Sequence, residues 1–522
     1  MTEFEALLAL LLVAVVLAAV ARKTGAPYPA FLALGGAVLA FVPGVPALAI
    51  EPHLALALFV APVLLDAAYD ASLRDLKDNW PAVASLVVVS VGLTTVAVAW
   101  VARALVPSMP WAAAIALGAI VAPPDAAAAT AVLRQVRPPH RILTILEGES
   151  LLNDASALLI YRLAIRALAA NTVSFGAVAP TLLLVVVGSV AAGTIAARVY
   201  LRLTQNIRDV PTAIILQFIG TFGIWLIADR IGLSGVLTVV CYAVAVARRA
   251  PELTPARIRI PSYAVWETAV FVLNVLAFVF IGLQIRPILA ALGPAEYLPY
   301  VYVAGAVLVT VIVVRFAWVM THVALVRWRI RRFGFHPPRP AAEPSVAGAV
   351  VVSWCGMRGI VSLAAALALP AQVDGTAFPF RDLILLTAFS VVLGTLVIQG
   401  LTLRPLLQLL RLEEDNPVEH EVATARARAL AAAIAALGDE ASDAARAVRE
   451  ELAAHLRHAS GDRVETEVAD SNHQDLHRRA VGAARQAIFD LRANDDIGDD
   501  AFHRLEEELD WIEMGTSQST GR

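Results

Sequence analysis

The sequence predicts an all-α polytopic membrane protein with about 13 transmembrane helices and a helical cytoplasmic tail. The 522-residue chain is 59% hydrophobic and only 16% charged, whereas ordinary soluble chains have about 25% charged residues. Residues 1–412 alternate between short polar loops and apolar stretches long enough to cross a bilayer as helices. Residues 413–522 contain 12 Arg, no Lys and 25 Asp plus Glu. We therefore divide the chain into a transmembrane domain, 1–412, and an acidic helical tail, 413–522.

Thirteen apolar stretches are predicted to span the membrane. The first has an acidic start instead of the basic segment of a signal peptide, so we interpret it as a membrane helix. The thirteen spans are residues 4–21, 28–45, 53–70, 82–105, 111–133, 142–165, 176–199, 211–229, 231–247, 265–286, 298–326, 345–370 and 382–410.

The charges of the loops predict the orientation of the spans. Loops that follow odd-numbered spans contain 19 Arg and Lys residues, and loops that follow even-numbered spans contain five. Cytoplasmic loops carry the excess of positive charge in membrane proteins. The alternation therefore predicts an external N-terminus and a cytoplasmic tail, in a multi-pass protein of the inner (plasma) membrane.

The fifth span is interrupted by two prolines. Pro123 and Pro124 cannot donate backbone hydrogen bonds, so carbonyls one turn earlier lose their helical partners. Such a break is tolerated at membrane depth only inside the protein or beside a water-filled cavity. Asp125 follows directly, either as a simple cap for the second half of a kinked helix or as part of a polar site.

The twelfth span is interrupted by glycines. Gly356 and Gly359 flank Arg358 near its middle, and an arginine at that depth needs a carboxylate or helix carbonyls as its partner. The two interruptions are seven spans apart, which is the offset expected if spans 1–6 and 8–13 are inverted repeats of six helices. Paired broken helices in two halves of a chain indicate the mid-membrane site of a secondary transporter.

The sixth span contains LEGESLLNDASAL, which is unusually rich in carboxylates. At 100° per residue, Glu147, Ser150 and Asp154 fall within an arc of about 60°. Oxygen ligands from Ser150 and Asp154 suit an alkali cation, by analogy with other hard ions. A location near the solvated cytoplasmic end is the alternative explanation for Glu147, and a structural buried hydrogen bond is the alternative for Asp154.

A second polar face of the same helix carries Glu149 and Asn153, which are an i,i+4 pair. Glu149 is predicted to pair with Arg358. Arg315, in the eleventh span, has no partner that the sequence reveals. In the third span, Asp66 is either functional or an interfacial carboxylate.

These motifs together resemble the cation:proton antiporter-1 family, which contains bacterial NhaP-like and animal NHE-like sodium/proton antiporters. The resemblance depends on GAIVAPPDAAAATAVL, LEGESLLNDASAL and SWCGMRGIVSLAAALALP, and it covers roughly residues 5–410. It implies a homodimer in which a scaffold domain supports a six-helix core with two crossing broken helices.

The resemblance also implies roles for individual residues. Asp154 would be the carboxylate that exchanges protons for the cation, and Asn153 would support it. Ser150 would be a cation ligand, and Asp125 would lie at the helix crossing, so that Asp154, Ser150 and Asp125 form the predicted cation site. Asp66 occupies the position of the third-helix acid of the family.

Two further features follow from the resemblance. Glu149 and Arg358 would form a buried ion pair that holds the core together. Relatives typically have Thr-Asp-Pro at the first break, whereas this chain has Pro124-Asp125-Ala126. The hydroxyl of that threonine is therefore absent, and Pro124 is expected to contribute only its carbonyl oxygen.

The implied activity is exchange of a monovalent cation for a proton by alternating access, electroneutrally and in the service of pH homeostasis. Na⁺ is expected, and the sequence leaves K⁺ and Li⁺ open. Because Asp154 cannot hold a proton and a cation at once, it would couple the two flows. We expect no enzymatic activity, no cofactor apart from the transported ions, and no nucleic-acid partner. The expected partners are membrane lipid, a second copy of the chain, monovalent cations and protons.

Two alternatives use the same residues. A proton-gated cation channel could employ the same ligands, although titratable ligands at broken helices favour a carrier. An intramembrane aspartyl protease also uses two aspartates, but Asp125 and Asp154 lack its Gly-x-Gly-Asp setting. In the tail, helical periodicity is predicted for residues 419–437, 439–458 and 474–493, with a regulatory or dimer-stabilising role as a hypothesis.

Overall fold

The structure is a computed structural model of the chain. It describes residues 3–24, 27–43, 51–125, 128–130, 133, 138–170, 175–334, 344–373, 376–412, 417–437, 442–443, 445–450, 452 and 471–517. Ala126 and most of the predicted tail helix 439–458 lie outside these residues.

Helices account for nearly all of the regular structure. The membrane part contains α1 (Glu3–Thr24), α2 (Tyr28–Leu39), α3 (Pro52–Ala55), α4 (Ala61–Asp70), α5 (Leu73–Asp78), α6 (Trp80–Ala84), α7 (Val91–Leu105), α8 (Trp111–Val121), α9 (His140–Ala170), α10 (Phe175–Thr204), α11 (Val210–Arg230), α12 (Gly235–Ala247), α13 (Ala250–Leu253), α14 (Ala256–Leu283), α15 (Ile285–Ala290), α16 (Tyr297–Phe333), α17 (Val346–Trp354), α18 (Ile360–Leu367) and α19 (Arg381–Leu410). The tail contains α20 (Pro417–Ala436), α21 (Ser471–Ala493) and α22 (Asp499–Ser517). A two-stranded antiparallel hairpin, β1 (Gln372–Val373) and β2 (Thr376–Ala377), lies before α19.

Two helical segments contain a wide turn. The π-helical turn Leu56–Val60 joins α3 to α4, and the π-helical turn Ser85–Ser90 joins α6 to α7. Each π-helical turn therefore connects two α-helices into one continuous helical segment. A π-turn inserts extra backbone without ending the helix.

The predicted fold class is confirmed. Within the described part of the chain, six helices are long and apolar enough to cross a membrane, and four shorter helices of ten to seventeen residues are also apolar. The longest of the six, α16, has 37 residues. The total of thirteen spans stays a prediction.

One boundary differs notably from the prediction. Helix α14 begins at Ala256, whereas the sequence predicted a span from residue 265. The arginines in between were assigned to a loop because of their charge. Arg259 is nevertheless buried in the helix, because its guanidinium donates to the carbonyls of Pro251 and Thr254 at 2.7 Å each and pairs with Asp510 of the tail.

Helices α2 and α14 approach each other closely through glycine. A Cβ atom built on Gly282 would overlap the backbone of Ala33 and Ala37 in α2. Likewise, a Cβ on Gly36 would overlap the backbone of Val279 in α14. Small residues allow membrane helices to pack with their backbones in contact, so this pair of glycines fixes the distance between the two helices.

The tail forms a helical unit with its own apolar cluster. Helices α20, α21 and α22 contribute most of the buried side chains, together with Ala445, Val448 and Leu452, and Phe502 is fully buried. Phe489 packs 5.3 Å from the Phe502 ring, and the Arg492 guanidinium lies 4.4 Å above it. The predicted helices 419–437 and 474–493 correspond to α20 and α21, while α22 is an additional helix.

The tail contacts the membrane part through charged groups. The Asp499 carboxylate accepts a 2.7 Å hydrogen bond from the backbone N–H of Leu73, and Arg74 pairs with Glu421 at 2.7 Å. Arg259 pairs with Asp510. Helix α5 and the start of α14 therefore form one surface that the tail contacts.

We expect Gly282→Ala to lower the thermal unfolding temperature of the detergent-solubilised protein, since the added methyl group has to push two backbones apart. Overpacking of this kind costs roughly 1–3 kcal/mol. Gly305→Ala in α16 is the matched control, because a Cβ there meets nothing within 4 Å. Equal unfolding temperatures for the two variants would show that α2 and α14 do not pack through Gly282.

Candidate ion-coupling site

The two interrupted helices meet at their breaks. Helix α8 ends at Val121, just before Pro123 and Pro124, and the backbone N–H of Asp125 donates to the carbonyl of Met357 at 2.7 Å. Met357 belongs to the stretch between α17 and α18. The predicted crossing of two broken helices is therefore present, and a backbone hydrogen bond joins the two interruptions.

Gly359 is necessary at this crossing. A Cβ atom at that position would overlap the carboxylate of Asp125. The absence of a side chain lets the Asp125 carboxylate lie directly against the backbone of the other broken helix. Asp125 thus lies at the crossing of the two broken helices, where the sequence predicted it.

Arg358 serves the free end of α8. Its Nε donates to the Val121 carbonyl at 2.9 Å and its Nη2 donates to the Ala122 carbonyl at 3.1 Å, while Nη1 donates to the Gly356 carbonyl. The last carbonyls of a helix lack intrahelical partners and carry partial negative charge. The buried guanidinium therefore supplies donors to the carbonyls of Val121 and Ala122 at the break, and it places a positive charge where the helix ends.

The predicted ion pair between Glu149 and Arg358 is wrong. Glu149 forms a two-pronged pair with Arg315 of α16, with oxygen–nitrogen distances of 2.5 and 2.8 Å. Arg315 also donates to the Val352 carbonyl near the end of α17 at 3.0 Å. Both charged side chains are only 1% exposed. The guanidinium of Arg358 donates to backbone carbonyls instead. Glu149 therefore pairs with Arg315, which belongs to the uninterrupted helix α16.

Asn153 connects α9 to the first break. Its Nδ2 donates to the Pro124 carbonyl at 2.7 Å, and the residue is fully buried. This bond turns Oδ1 away from Pro124, and Oδ1 accepts no hydrogen bond from the residues that the structure describes. A buried amide oxygen in that state can serve as a ligand for a cation or a water molecule.

Asp154 follows Asn153 and is 7% exposed. The carboxylate of Asp125 is close enough to act on it electrostatically. Ser150 lies one turn earlier in α9 and is partly buried. Asp125, Asn153, Asp154 and the Pro124 carbonyl are thus gathered around the first break.

Asp66 lies elsewhere. It lines a cavity of about 320 Å³ together with Asp70 and Glu267, and with aromatic side chains such as Tyr242 and Trp266. The described lining of this cavity includes neither aspartate of the helix crossing. The structure therefore places the predicted third-helix acid in a separate acidic chamber between α4, α10, α11, α12 and α14.

Sequence reasoning missed two residues of the site. One is Arg315, for which the sequence predicts no partner. The other is Thr395 of α19, whose Oγ1 accepts a 3.0 Å hydrogen bond from the backbone N–H of Arg358. A signal for Arg315 was available. An arginine inside an uninterrupted membrane helix finds no free carbonyl in that helix, so it requires a carboxylate from a neighbour.

Crossed broken helices with carboxylates at the crossing define the class of the protein as a secondary-transporter fold. The family model described as "Sodium/hydrogen exchanger, transmembrane" matches residues 8–409. The chain belongs to this family of multi-pass membrane proteins, which is the family that the motifs had suggested.

Relatives of known sequence and structure agree with this assignment. An uncharacterized Na⁺/H⁺ exchanger of Mycobacterium tuberculosis is 32% identical over 507 residues, covering 93% of this chain and 91% of the relative. A sodium, potassium, lithium and rubidium/H⁺ antiporter of Bacillus subtilis is 32% identical over 360 residues, covering 66% of this chain and 52% of that protein. The sodium proton antiporter MjNhaP1 of Methanocaldococcus jannaschii shares the fold, with a TM-score of 0.60, 18% identity, and coverage of 78% of this chain and 100% of that structure.

A double-mutant cycle can test which arginine pairs with Glu149. We expect Glu149→Gln and Arg315→Met each to cost ~3–5 kcal/mol of unfolding free energy, since each leaves a buried charge alone. The double variant should lose much less than the sum. The comparison cycle uses Arg358→Met with Glu149→Gln, where the coupling should be smaller. Unfolding is measured in one detergent, and a larger coupling to Arg358 would contradict the pairing in the structure.

Proposed function

We propose that this protein exchanges a monovalent cation for a proton, with Asp154 as the group that carries one or the other. The observation that supports this most directly is the bond between Asn153 Nδ2 and the Pro124 carbonyl. That bond fixes the Asn-Asp pair of α9 against the break of the fifth span. The break is in turn bonded to the second break through Asp125 and Met357. The Asp125 carboxylate lies against Gly359 of the second break, so this junction contains residues of both broken helices.

The coupling depends on competition at one carboxylate. A protonated Asp154 has no charge with which to neutralise a cation, and a cation-bound Asp154 has no proton. In these two loaded forms the Asp154 carboxylate carries no uncompensated charge, whereas its empty ionised form does, and such a charge is costly in a membrane interior. Movement of the loaded site between the two sides then gives one proton for one cation, without net charge transfer.

The proposed ligands are oxygens around the first break. The carboxylates of Asp154 and Asp125, the hydroxyl of Ser150 and the Oδ1 atom of Asn153 supply hard donors, which alkali cations prefer. The Pro124 carbonyl already accepts from Asn153, and it has a second lone pair. We take Na⁺ as the principal substrate because most of the relatives are named for it, with K⁺ and Li⁺ as further candidates since the Bacillus subtilis relative is named for several alkali cations.

The acidic chamber provides a path of entry. Asp66, Asp70 and Glu267 give its wall negative charge, and a cleft lined by one sign of charge raises the local concentration of counter-ions. We assign Asp66 to attracting the cation into the protein. Arg259 at the same wall is neutralised by Asp510 of the tail, so it does not cancel this attraction.

The orientation and assembly are further parts of the proposal. The 19-to-five distribution of positive residues among the loops supports a cytoplasmic tail. The tail contacts Arg74 and Arg259, which follow the third and ninth spans, so the tail lies on the side to which that distribution assigns it. We propose the plasma membrane as the location and a homodimer as the assembly, on the basis of the family resemblance.

Asp154→Asn is expected to abolish Na⁺-driven proton movement in proteoliposomes, because an amide neither titrates nor neutralises a cation. The measurement is the change in internal pH after an external Na⁺, K⁺ or Li⁺ pulse. Asp78→Asn on the exposed part of α5 is the control and should retain the wild-type rate. Wild-type exchange by Asp154→Asn, with equal protein incorporation, would remove Asp154 from the mechanism.

The same vesicles separate an exchanger from a channel. An electroneutral exchanger moves protons in the direction opposite to the cation flux, and its rate does not change when the membrane potential is clamped. A channel would carry cations without an opposing proton flux, and its rate would follow the potential. Flux that depends on potential alone would favour the channel.

Pro124→Thr is expected to raise the apparent affinity for Na⁺ relative to K⁺, because it adds a hydroxyl oxygen beside the carbonyl that faces Asn153 and frees the backbone dihedral φ. Both affinities are measured at one pH in vesicles with equal protein content. An unchanged ratio would show that this position does not set selectivity.

A further inference from the structure

We propose that Asp75, His140 and Asp500 form a binding site for a divalent transition-metal ion, Zn²⁺ by its donor set, which clamps the tail onto the membrane domain. The three residues come from α5, from the first residue of α9 and from the first turn of α22. One ligand atom from each lies within 4.8 Å of the other two. This site is separate from the ion-coupling site, and it does not depend on the proposed transport activity.

The distances around His140 match those expected for ligands of one shared ion. The Asp75 carboxylate lies 3.1 Å and the Asp500 carboxylate 3.4 Å from the same ring nitrogen, Nε2. A single N–H points along one line, so it cannot give both oxygens a well-aligned hydrogen bond. Two ligands that are each 2.0–2.2 Å from a tetrahedral Zn²⁺ lie about 3.4 Å apart. An ion on the Nε2 lone pair would therefore satisfy both carboxylates at nearly their present positions.

The surrounding contacts hold the ligands in place. The Asp75 backbone N–H is bonded to the Ser72 hydroxyl, and the other oxygen of its carboxylate faces Arg74 at 3.3 Å. Arg74 is itself paired with Glu421 of the tail. Asp75 thus presents one carboxylate oxygen to His140 and the other to Arg74, and Arg74 is also paired with Glu421.

The charges of the cluster leave room for a divalent cation. Asp75, Asp500, Glu421 and Asp499 contribute four negative charges, and Arg74 and Arg492, which pairs with Asp499 at 2.7 Å, contribute two positive charges. With a neutral imidazole the cluster has a net charge of −2. Metal-binding histidine is neutral, and one divalent ion would balance the whole group.

The solvent exposure of the three side chains also fits a site that takes an ion from solution. The side chains of Asp75, His140 and Asp500 are 12%, 23% and 36% exposed. The site is therefore reachable from water, yet most of each ligand is covered by the tail and the membrane domain. One N ligand and two O ligands leave a fourth tetrahedral position for water.

The test uses the full-length protein in detergent, stripped with a chelator and then exposed to Zn²⁺ or to Co²⁺ as a spectroscopic probe. We expect one Zn²⁺ per chain after desalting, and a Co²⁺ visible band of the intensity typical of tetrahedral coordination. His140→Gln and Asp500→Asn should each reduce the retained metal at least tenfold. His503→Gln is the matched control, because His503 lies in the same tail helix and contributes no atom to the cluster.

The clamp itself is tested by thermal unfolding. A ligand that binds only the folded state raises its stability, so Zn²⁺ should raise the unfolding temperature of the wild type and of His503→Gln, and leave that of His140→Gln unchanged. Retention of Zn²⁺ that is equal in wild type, His140→Gln and Asp500→Asn would mean adventitious binding and would overturn the proposal. Absence of retained metal in the wild type would overturn it as well and would identify the cluster as an ion pair around a protonated His140.

Discussion

The structure depends on how backbone carbonyls are satisfied where two helices are broken inside the membrane. Lipid offers no hydrogen-bond donors, so each freed carbonyl needs a donor from the protein. Arg358 supplies donors to the end of α8, and Arg315 supplies them to the end of α17. Asn153 and the backbone of Asp125 complete the junction. The Asp125 carboxylate lies at the same junction, against the backbone of Gly359.

The fold class and the centre of the site could be predicted from sequence because each has a local signature. Prolines within an apolar run mark the first break, and an Asn-Asp pair within a membrane helix is too costly to be incidental. The partner of Glu149 could not be chosen in this way, since two buried arginines were available and spacing along the chain does not give distances between helices. In the structure, the two arginines differ in the partners that lie near them. Arg358 lies beside backbone carbonyls at the end of α8, whereas Arg315 lies in an uninterrupted helix and pairs with Glu149.

Helix ends could be predicted only where charged residues are exposed and lie outside the helix. The start of α14 was placed too late because Arg259 looked like a loop residue, and its burial depends on Asp510, which is 251 residues away. The same contact belongs to a wider pattern. The tail has a net charge of −13 and the rest of the chain +10, and the contacts of the tail fall on arginines at the surface formed by α5 and the start of α14. Electrostatic attraction thus favours docking of the tail in general. Two specific ion pairs fix its position: Arg259 with Asp510, and Arg74 with Glu421.

The wide turn at Leu56–Val60 changes how this chain should be compared with its relatives. A π-turn is equivalent to one inserted residue, so everything after it is rotated by about 100° relative to an uninterrupted α-helix. Asp66 lies six residues beyond that turn and faces the acidic chamber. In a relative that lacks this π-turn, an alignment without a gap inside the helix would match Asp66 with a residue that points in another direction, and an acid of equivalent orientation would lie one position away.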